Sequence, residues 1–177
     1  DSNKYYTNNA GNKEINNWVS FYHENYYIGT KKIYAQNTMR VHFNADGKID
    51  ANKWIKDGNK TIWVRADGTH ASSEWVNGNK YYVNSDGTKF INDFKWFYNS
   101  NVYYLPGSTT ALYGTSSGVK VFFDTKGQIV AGKWIEYDGY KYYANSKGAL
   151  YRNDWYTIGG KDYYFDSNGR WQPNRTK

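Results

Sequence analysis

The sequence predicts an all-β protein, an elongated solenoid of stacked β-hairpin repeats of about 20 residues each. Three observations support this prediction. An aromatic motif recurs at a fixed interval, turn signals that contain Gly separate short runs of aromatic and β-branched residues, and no stretch places apolar residues at helical spacing over several turns. We therefore treat residues 1–177 as a single repeat array.

The repeated motif begins with Trp and closes with Gly. Between them come a few polar residues, a turn that contains Gly, a pair of aromatic or β-branched residues, and a second turn rich in Asn and Asp. Trp54 and Trp75 are 21 residues apart, and so are Trp134 and Trp155. A fixed interval is typical of solenoids, in which each unit packs against its neighbours. The motif predicts four short units, at residues 54–74, 75–95, 134–154 and 155–171.

A longer period is superimposed on the short one. Residues 41–47 resemble residues 121–127, which lie 80 positions later, and both Trp18 and Trp96 precede a pair of tyrosines. These correspondences predict two super-repeats, each with one long irregular unit followed by two short ones. The predicted super-repeats are 18–95 and 96–177, their long units are roughly 18–53 and 96–133, and a partial N-terminal unit spans 1–17.

Each short unit is predicted to be a β-hairpin. Asp57-Gly58, Asn77-Gly78 and Asp138-Gly139 separate runs of high strand propensity, and such dipeptides favour tight turns because Gly adopts positive φ. A single hairpin is not stable in water, whereas stacked hairpins share a core. Side chains alternate between the two faces of a strand, so one ring of each aromatic pair is expected to point inward and the other toward a lateral face.

Aromatic residues dominate the composition. They make up 20% of the chain, with 20 Tyr, 8 Trp and 8 Phe, while Leu occurs only at Leu105, Leu112 and Leu150. A core with so few aliphatic residues must contain rings, and burial is the alternative interpretation for any one of them. Thin hairpins cannot bury every ring, however, and exposed rings at a fixed interval indicate binding. We predict shallow grooves lined by rings and by lysines that act as polar partners, namely Trp54, Trp63, Trp75, Tyr82, Trp134, Tyr143, Trp155, Tyr164, Lys60, Lys80, Lys141 and Lys161.

The unit resembles a known kind of repeat. A Trp followed by an aromatic pair and by Asn or Asp three residues before Gly, at an interval of about 20 residues, resembles the cell-wall-binding repeat superfamily of Gram-positive surface proteins. This superfamily includes the choline-binding repeats of streptococcal surface proteins and lysins, the glucan-binding repeats of glucansucrases and the repetitive C-terminal regions of clostridial toxins. The mixture of short and long units is most similar to the glucan-binding and toxin branches. The resemblance implies a non-catalytic module that anchors or targets a parent protein.

The chain departs from choline-binding repeats beside the rings. Those repeats usually carry Gly before the first Trp and a Trp before the Tyr pair. Here a basic or acidic residue takes each place, at Lys53, Glu74, Lys133, Asp154, Lys80, Lys141 and Asp162. A quaternary ammonium group prefers a cage of rings without a competing cation, whereas Lys and Asn side chains bind sugar hydroxyls or phosphate. The departures favour an α-glucan or cell-wall glycan as the ligand, with teichoic acid or choline as the alternative.

No constellation of residues supports catalysis or a metal site. Most Asp and Glu residues lie in predicted turns rather than paired in a cleft, and neither a nucleophile elbow nor a phosphate-binding loop occurs. The Asp-Gly pairs are explained by tight turns and do not form a calcium-binding loop. The chain has no Cys, which excludes disulfides and thiolate metal ligands. We expect no catalytic residue, no metal and no cofactor.

The net charge and the distribution of apolar residues limit the classes of partner that this chain is expected to bind. The formal net charge of +7 favours anionic neighbours such as teichoic acid. Basic residues interleaved with rings also occur in single-stranded nucleic-acid binders, but the hairpin interval matches none of those folds, so we reject nucleic acid as a partner. No apolar run is long enough to span a bilayer. We expect a monomeric piece of a secreted protein of the bacterial cell surface; a structural spacer or protein-binding adhesin stalk is the alternative of another class.

Overall fold

The computed structural model describes residues 6–7, 10–28 and 30–176, and within them it contains sixteen β-strands and no helix. This part of the chain therefore has no helix that is long and apolar enough to cross a membrane. The strands are β1 (Asn17–Phe21), β2 (Asn25–Ile28), β3 (Lys31–Tyr34), β4 (Met39–Phe43), β5 (Lys53–Asp57), β6 (Lys60–Val64), β7 (Trp75–Val76), β8 (Tyr81–Tyr82), β9 (Asp93–Phe97), β10 (Val102–Tyr103), β11 (Leu112–Tyr113), β12 (Val119–Phe123), β13 (Lys133–Tyr137), β14 (Tyr140–Ala144), β15 (Asp154–Ile158) and β16 (Lys161–Phe165).

The strands pair as antiparallel two-stranded ladders throughout the described residues. Four ladders are single hairpins, β5–β6, β7–β8, β13–β14 and β15–β16, and each begins at or next to a Trp of the repeated motif. Strands form here because the aromatic and β-branched runs pack well on a pleated surface, and the turn residues interrupt them at short intervals. The predicted all-β fold of stacked hairpin repeats is confirmed.

The two long units are nested hairpins rather than irregular segments. β1 pairs with β4, and the chain between them forms the smaller hairpin β2–β3. In the same way β9 and β12 enclose β10–β11. The extra length of a long unit is therefore a second hairpin inserted at the tip of the first.

The tight turns follow the predicted dipeptides with two differences: Asn77-Gly78 lies in a four-residue loop between the paired residues Val76 and Tyr81, and the turn at Asp57-Gly58 is shifted. Asp138 and Gly139 have φ of 50° and 75°, and two positive φ values are what a type I′ turn requires. At Asp57-Gly58 the turn lies one residue further along the chain, because Asp57 still pairs with Lys60 in the ladder. The hairpin is formed in both cases, since Gly supplies a positive φ in either turn.

Five of the described hairpins, β1–β4, β5–β6, β9–β12, β13–β14 and β15–β16, are entered through a residue with left-handed backbone, which we call the lead-in residue. Asn52, Asn92 and Asn153 have φ of 52°, 49° and 52°, a conformation that Asn adopts more readily than most residues. The backbone N–H of each donates to the carbonyl of the residue after the second strand, as from Asn153 to Asp166 at 2.9 Å. These hydrogen bonds close the base of each hairpin.

A second turn follows each hairpin and leads to the next one. The Asn145 side-chain oxygen accepts hydrogen bonds from the backbone N–H groups of Lys147 and Ala149, at 2.9 and 3.1 Å. The chain then bridges back to the strand it has left, here between Ala144 and Leu150. The same side-chain cap occurs at Asn44, Asp124 and Asp166. This geometry explains why the motif needs Asn or Asp three residues before Gly.

Every repeat contributes to the core the residue that directly precedes its second turn. This residue is at most 3% exposed in every repeat, and its identity varies between aromatic and aliphatic: Phe43, Val64, Val83, Phe123, Ala144 and Phe165. Around these positions pack further rings and aliphatic side chains, such as Phe122, Ile135 and Tyr142. Rings therefore replace much of the Leu that an ordinary core contains.

The chain divides into two compact parts, Asp1–Lys89 and Phe90–Lys177, called the N-terminal half and the C-terminal half below. Each contains one nested hairpin and two single hairpins within the described residues. The predicted super-repeat boundaries stay predictions. The partial unit predicted at 1–17 includes residues 1–5 and 8–9, which lie outside the described residues.

Candidate ligand-binding site

The rings predicted to line grooves lie opposite each other in pairs across the single hairpins. Each motif Trp on the first strand is the direct partner of the predicted ring on the second strand. Directly opposite residues are the closest side chains of an antiparallel ladder, and in each pair the rings meet edge to face. The ring centroids are 5.3 Å apart for Trp54–Trp63, 5.6 Å for Trp75–Tyr82, 5.3 Å for Trp134–Tyr143 and 5.5 Å for Trp155–Tyr164.

Two of these eight rings belong to the core of the N-terminal half. Trp63 is 8% exposed and Tyr82 is 9% exposed, whereas the other six rings are half-buried. Trp63 is buried because it packs against Ala71, Val76 and Val83. Both rings present little surface to a ligand, which agrees with the alternative interpretation that a given ring is buried in the core. A ligand-binding role for the other six rings stays a prediction.

A third ring, from the following hairpin, completes two clusters. Tyr81 lies 5.9 Å from Trp54 with an interplanar angle of 72°, and Tyr163 lies 5.0 Å from Trp134 at 70°. Three rings at steep angles form a corner whose walls are aromatic faces. We call Trp54, Trp63 and Tyr81 the N-terminal ring cluster, and Trp134, Tyr143 and Tyr163 the C-terminal ring cluster.

Sequence analysis missed the third ring of both clusters. In each aromatic pair of the motif it selected the second residue, Tyr82 and Tyr164, which faces its own hairpin partner. The first residue of the pair points to the opposite side of the strand and reaches the preceding hairpin instead. Strand alternation was the signal that predicts two different roles for these neighbours.

Different side chains lie beside the third ring in the two clusters. The Lys89 Nζ atom lies 4.0 Å from the centroid of Tyr81 and 5.4 Å from that of Trp54. In the C-terminal half Trp171 contacts the cluster, at 5.8 Å from Tyr163. Among the described residues no basic side chain lies over the rings of the C-terminal ring cluster. The N-terminal ring cluster thus holds a cation from its own chain, and its counterpart holds another ring.

Three of the predicted lysines are exposed, and two of them lie near other side chains. Lys80 Nζ is 5.3 Å from the centroid of Tyr81. Lys141 forms an exposed cross-strand ion pair of 3.2 Å with Glu136. Lys161 begins β16 and is exposed. Lys80 therefore lies beside the N-terminal ring cluster, and the sugar-binding role of all three stays a prediction.

Lys60 lies in a different place from the ring cluster of its own hairpin. Its Nζ atom is 2.8 Å from Asp86 Oδ2. Hydrogen bonds from Lys60 and from Thr88 hold the pKa of Asp86 well below its usual range, and the same contact raises the pKa of Lys60. Thr88 donates from both its hydroxyl and its backbone N–H, at 2.6 and 3.1 Å. The Asp86 carboxylate is therefore an anchor for this lysine.

A cavity of about 260 Å³ in the N-terminal half joins this ion pair to a ring of the nested hairpin. The Trp18 ring forms one wall, with the Arg40 guanidinium 5.4 Å from its centroid. Within the described residues, the buried Trp18 Nε1 has no hydrogen-bond acceptor. Sequence analysis did not name this cavity, because its residues come from three hairpins. The lining residues are Trp18, Arg40, Asp57, Lys60, Ile62, His70 and Asp86.

Arginines cover three rings in the described part of the C-terminal half, one of them Tyr140, with Arg170 at 3.9 Å from its centroid. Arg175 lies 3.7 Å from the centroid of Tyr164, and Arg152 lies 4.3 Å from that of Trp96. Tyr164 is one of the predicted stacking rings, and the guanidinium already occupies one of its faces. Cation–π contact of this kind stabilises a ring in place while it competes with a ligand for that face.

Parts of the chain match two families of known repeats. A family described as a choline-binding repeat matches residues 43–88, and a family described as a putative cell wall binding repeat matches residues 132–150 and 153–170. No curated protein matches the chain in sequence.

Similar solved structures come from bacterial proteins. The modular autolysin LytC from Streptococcus pneumoniae, solved with a synthetic peptidoglycan ligand, is 22% identical with a TM-score of 0.40; the match covers 97% of this chain and 37% of that one. The choline-binding domain of CbpL from the same organism is 22% identical, with a TM-score of 0.39 and coverages of 95% and 81%. Truncated alternansucrase from Leuconostoc mesenteroides is 19% identical, with a TM-score of 0.39 and coverages of 97% and 12%. The chain thus spans little more than a third of LytC.

Proposed function

We propose that the chain, which matches a choline-binding repeat over residues 43–88 and a putative cell wall binding repeat over 132–150 and 153–170, is a non-catalytic module that binds a glycan of the bacterial cell wall or surface. The observation that carries this proposal is the ring pair that recurs at one register in four hairpins. Half-buried rings at a fixed interval are suited to a polymer with a repeating unit. The proposal includes attachment of a secreted parent protein to that polymer.

Ring faces supply the main contact in this mechanism. The C–H face of a sugar ring packs on an exposed aromatic face, and nearby amides and lysines orient the hydroxyl groups by hydrogen bonding. Trp134 and Trp155 combine a half-buried ring with a position in consecutive hairpins. A polymer that follows the array meets an equivalent ring at each hairpin.

Many weak sites then act together. A shallow site of this kind is expected to bind with a Kd on the order of 1 mM, about −4 kcal/mol. Several sites on one long polymer raise the overall affinity by ~10²–10⁴ when they bind simultaneously. The module is therefore expected to retain polymers far more strongly than it binds short oligosaccharides.

A polymer that bears quaternary ammonium groups, such as choline-substituted teichoic acid, is the second candidate ligand. The C-terminal ring cluster favours it, because its rings stand at 70–74° to Trp134 and no described basic side chain lies over them. A corner of aromatic faces attracts a cation through the ring quadrupoles. The two candidates differ in one measurable respect, since free choline competes only with the second.

The test is retention of the protein on insoluble α-glucan and on purified Gram-positive cell walls, with and without teichoic acid. Trp134→Ala is expected to lower the retained fraction by about tenfold, because it removes a ring shared by several aromatic contacts. Tyr113→Ala removes a ring that is 63% exposed and has no predicted ligand contact, and it serves as the matched control. Each binding reaction is repeated at high salt and with free choline.

The outcomes separate the hypotheses. Salt-insensitive retention on glucan that falls in Trp134→Ala supports stacking on neutral sugar. Retention that requires teichoic acid and is released by free choline supports the second candidate. No retention on any of these polymers would refute the module's binding function and favour the spacer or adhesin stalk.

A further inference from the structure

The N-terminal and C-terminal ring clusters are built alike, apart from Trp63 in the place of Tyr143 and one position beside the third ring. In both halves the chain leaves the aromatic pair, makes the second turn and bridges back, between Val83 and Lys89 in one half and between Phe165 and Trp171 in the other. The turn hydrogen bonds match as well: Gly87 N–H donates to Asn84 O at 3.0 Å, and the corresponding bond in the C-terminal half is 2.9 Å. Lys89 and Trp171 therefore occupy the same register beside Tyr81 and Tyr163.

The Lys89 ammonium lies where the ring faces of the N-terminal cluster converge. It is 4.0 Å from the centroid of Tyr81 and 5.4 Å from that of Trp54. The side chain is half-buried, and among the described residues no carboxylate lies within ion-pair distance of it. The two aromatic faces are thus the groups that stabilise this charge.

An ammonium in this position changes which ligand the rings can accept. It already occupies the attractive face of Tyr81, and a second cation that approached the same rings would meet like-charge repulsion at a few ångströms. Lys80, at 5.3 Å from the same ring, adds to this repulsion. Neutral or anionic groups meet no such barrier, since an ammonium donates hydrogen bonds to hydroxyl and phosphate oxygens.

We propose that Lys89 is an internal cation that closes the N-terminal ring cluster to quaternary ammonium ligands, and that it thereby determines the ligand class of this cluster. The inference builds on the proposed function, because it concerns the selectivity of rings that the proposal assigns to binding. It predicts that the two halves of one chain differ in ligand preference although their rings share one arrangement.

The test uses tetramethylammonium chloride as the probe, so that no polymer is needed. The probe is titrated into the full chain, and the indole ¹H–¹⁵N resonance of Trp54 is followed after assignment with Trp54→Phe. Lys89→Ala is expected to bind the probe in a saturable way, at least about tenfold more tightly than the wild type, since removal of the ammonium frees the faces of Tyr81 and Trp54. Lys89→Arg keeps the charge and is the matched control, expected to behave as the wild type. Sodium chloride at equal ionic strength corrects for screening.

Three results would overturn the proposal. The first is a wild-type Trp54 resonance that saturates with the same affinity as Lys89→Ala. The second is a Lys89→Arg variant that binds tetramethylammonium as tightly as Lys89→Ala does. The third is a folded Lys89→Ala, with the amide dispersion of the hairpins intact, that gains no site; if the alanine variant unfolds, Lys89→Gln replaces it under the same criterion. The wild type could retain no polymer while Lys89→Ala still gains a tetramethylammonium site. That combination would support this inference and refute the proposed function.

Discussion

At the scale of single residues, His70 is expected to make the stability of the N-terminal half depend on pH. It is half-buried, its ring lies 6.3 Å from that of Trp18, and its backbone carbonyl accepts a hydrogen bond from Arg65. Burial lowers the pKa of His70 below its usual 6.5, and the positive charges of Arg65 and Arg40 lower it further; Asp86 and Glu74 act weakly in the opposite direction. The unfolded chain therefore binds the proton more tightly than the folded one.

The sign of the pH effect follows from this shift. A lowered folded-state pKa contributes stability that is present above the ordinary pKa and lost as the pH falls below it. The melting temperature is expected to fall as the pH is lowered from about 7 to 5, and His70→Gln is expected to reduce that fall by roughly 2 °C. Thermal unfolding of both proteins across this range, followed by circular dichroism, checks the expectation. An identical fall in the two proteins would mean that other groups carry the pH dependence.

The sequence was enough to predict the cross-strand ring pairs, but not the side chains that surround them. Trp134 and Tyr143 were named because they recur at a fixed interval, and the ladder brings them together for the same reason. Tyr81 and Lys89 were missed because their contacts with Trp54 cross from one hairpin to the next. An interval identifies equivalent positions, whereas the distance between neighbouring hairpins is determined by packing, which a single sequence does not display.

At the scale of elements, the second turn is expected to be less tolerant of substitution than the tight turn of the same hairpin. Gly148 has φ of 78°, and a Cβ atom there would lie 2.8 Å from Ile129 Cγ2 and 3.1 Å from Leu105 Cδ2. Gly139 has φ of 75°, but its Cβ would point into open space. The two positions therefore share the backbone strain and differ in the steric clash.

Alanine substitution separates the two contributions. Gly139→Ala is expected to lower the free energy of unfolding by about 1 kcal/mol, from the left-handed backbone alone. Gly148→Ala is expected to cost about 2–3 kcal/mol, because the core must shift as well. Urea denaturation of the two variants measures the difference. Equal losses would show that Ile129 and Leu105 move aside without cost.

The nested hairpins show where sequence patterns mislead at this scale. The long units lack a second motif Trp, so their insertions β2–β3 and β10–β11 were read as irregular. Their strands are only two to four residues long, which is too short for alternation to identify. The enclosing strand β1 carries Trp18 as its second residue, as β5, β13 and β15 carry their motif Trp, whereas β9 has Phe94 at that position and Trp96 two residues later.

At the scale of the whole molecule, binding is expected to depend on how many rings remain rather than on any one of them. Trp54→Ala and Trp134→Ala each remove a ring from a different half. The double variant is expected to lose about tenfold more polymer retention than either single variant, because simultaneous contacts multiply. Its affinity for a short oligosaccharide at the remaining sites should stay unchanged. Retention curves on polymer beside calorimetry with the oligosaccharide test this, and a parallel loss in both would indicate independent sites without avidity.

The lead-in residues have a consequence for how such a chain changes in length. Five hairpins in the described part of the chain start at a left-handed residue whose N–H donates to the carbonyl of the residue directly after the second strand, at Asn16, Asn52, Asn92, Gly132 and Asn153. The two ends of such a repeat therefore make the same backbone hydrogen bond, and the segment between them, such as residues 132–152, can be exchanged as a unit. Duplication or deletion of one repeat by unequal recombination leaves the hydrogen bonds at both of its ends intact. The number of hairpins can thus change in whole-number steps, with the same backbone hydrogen bond at the base of each.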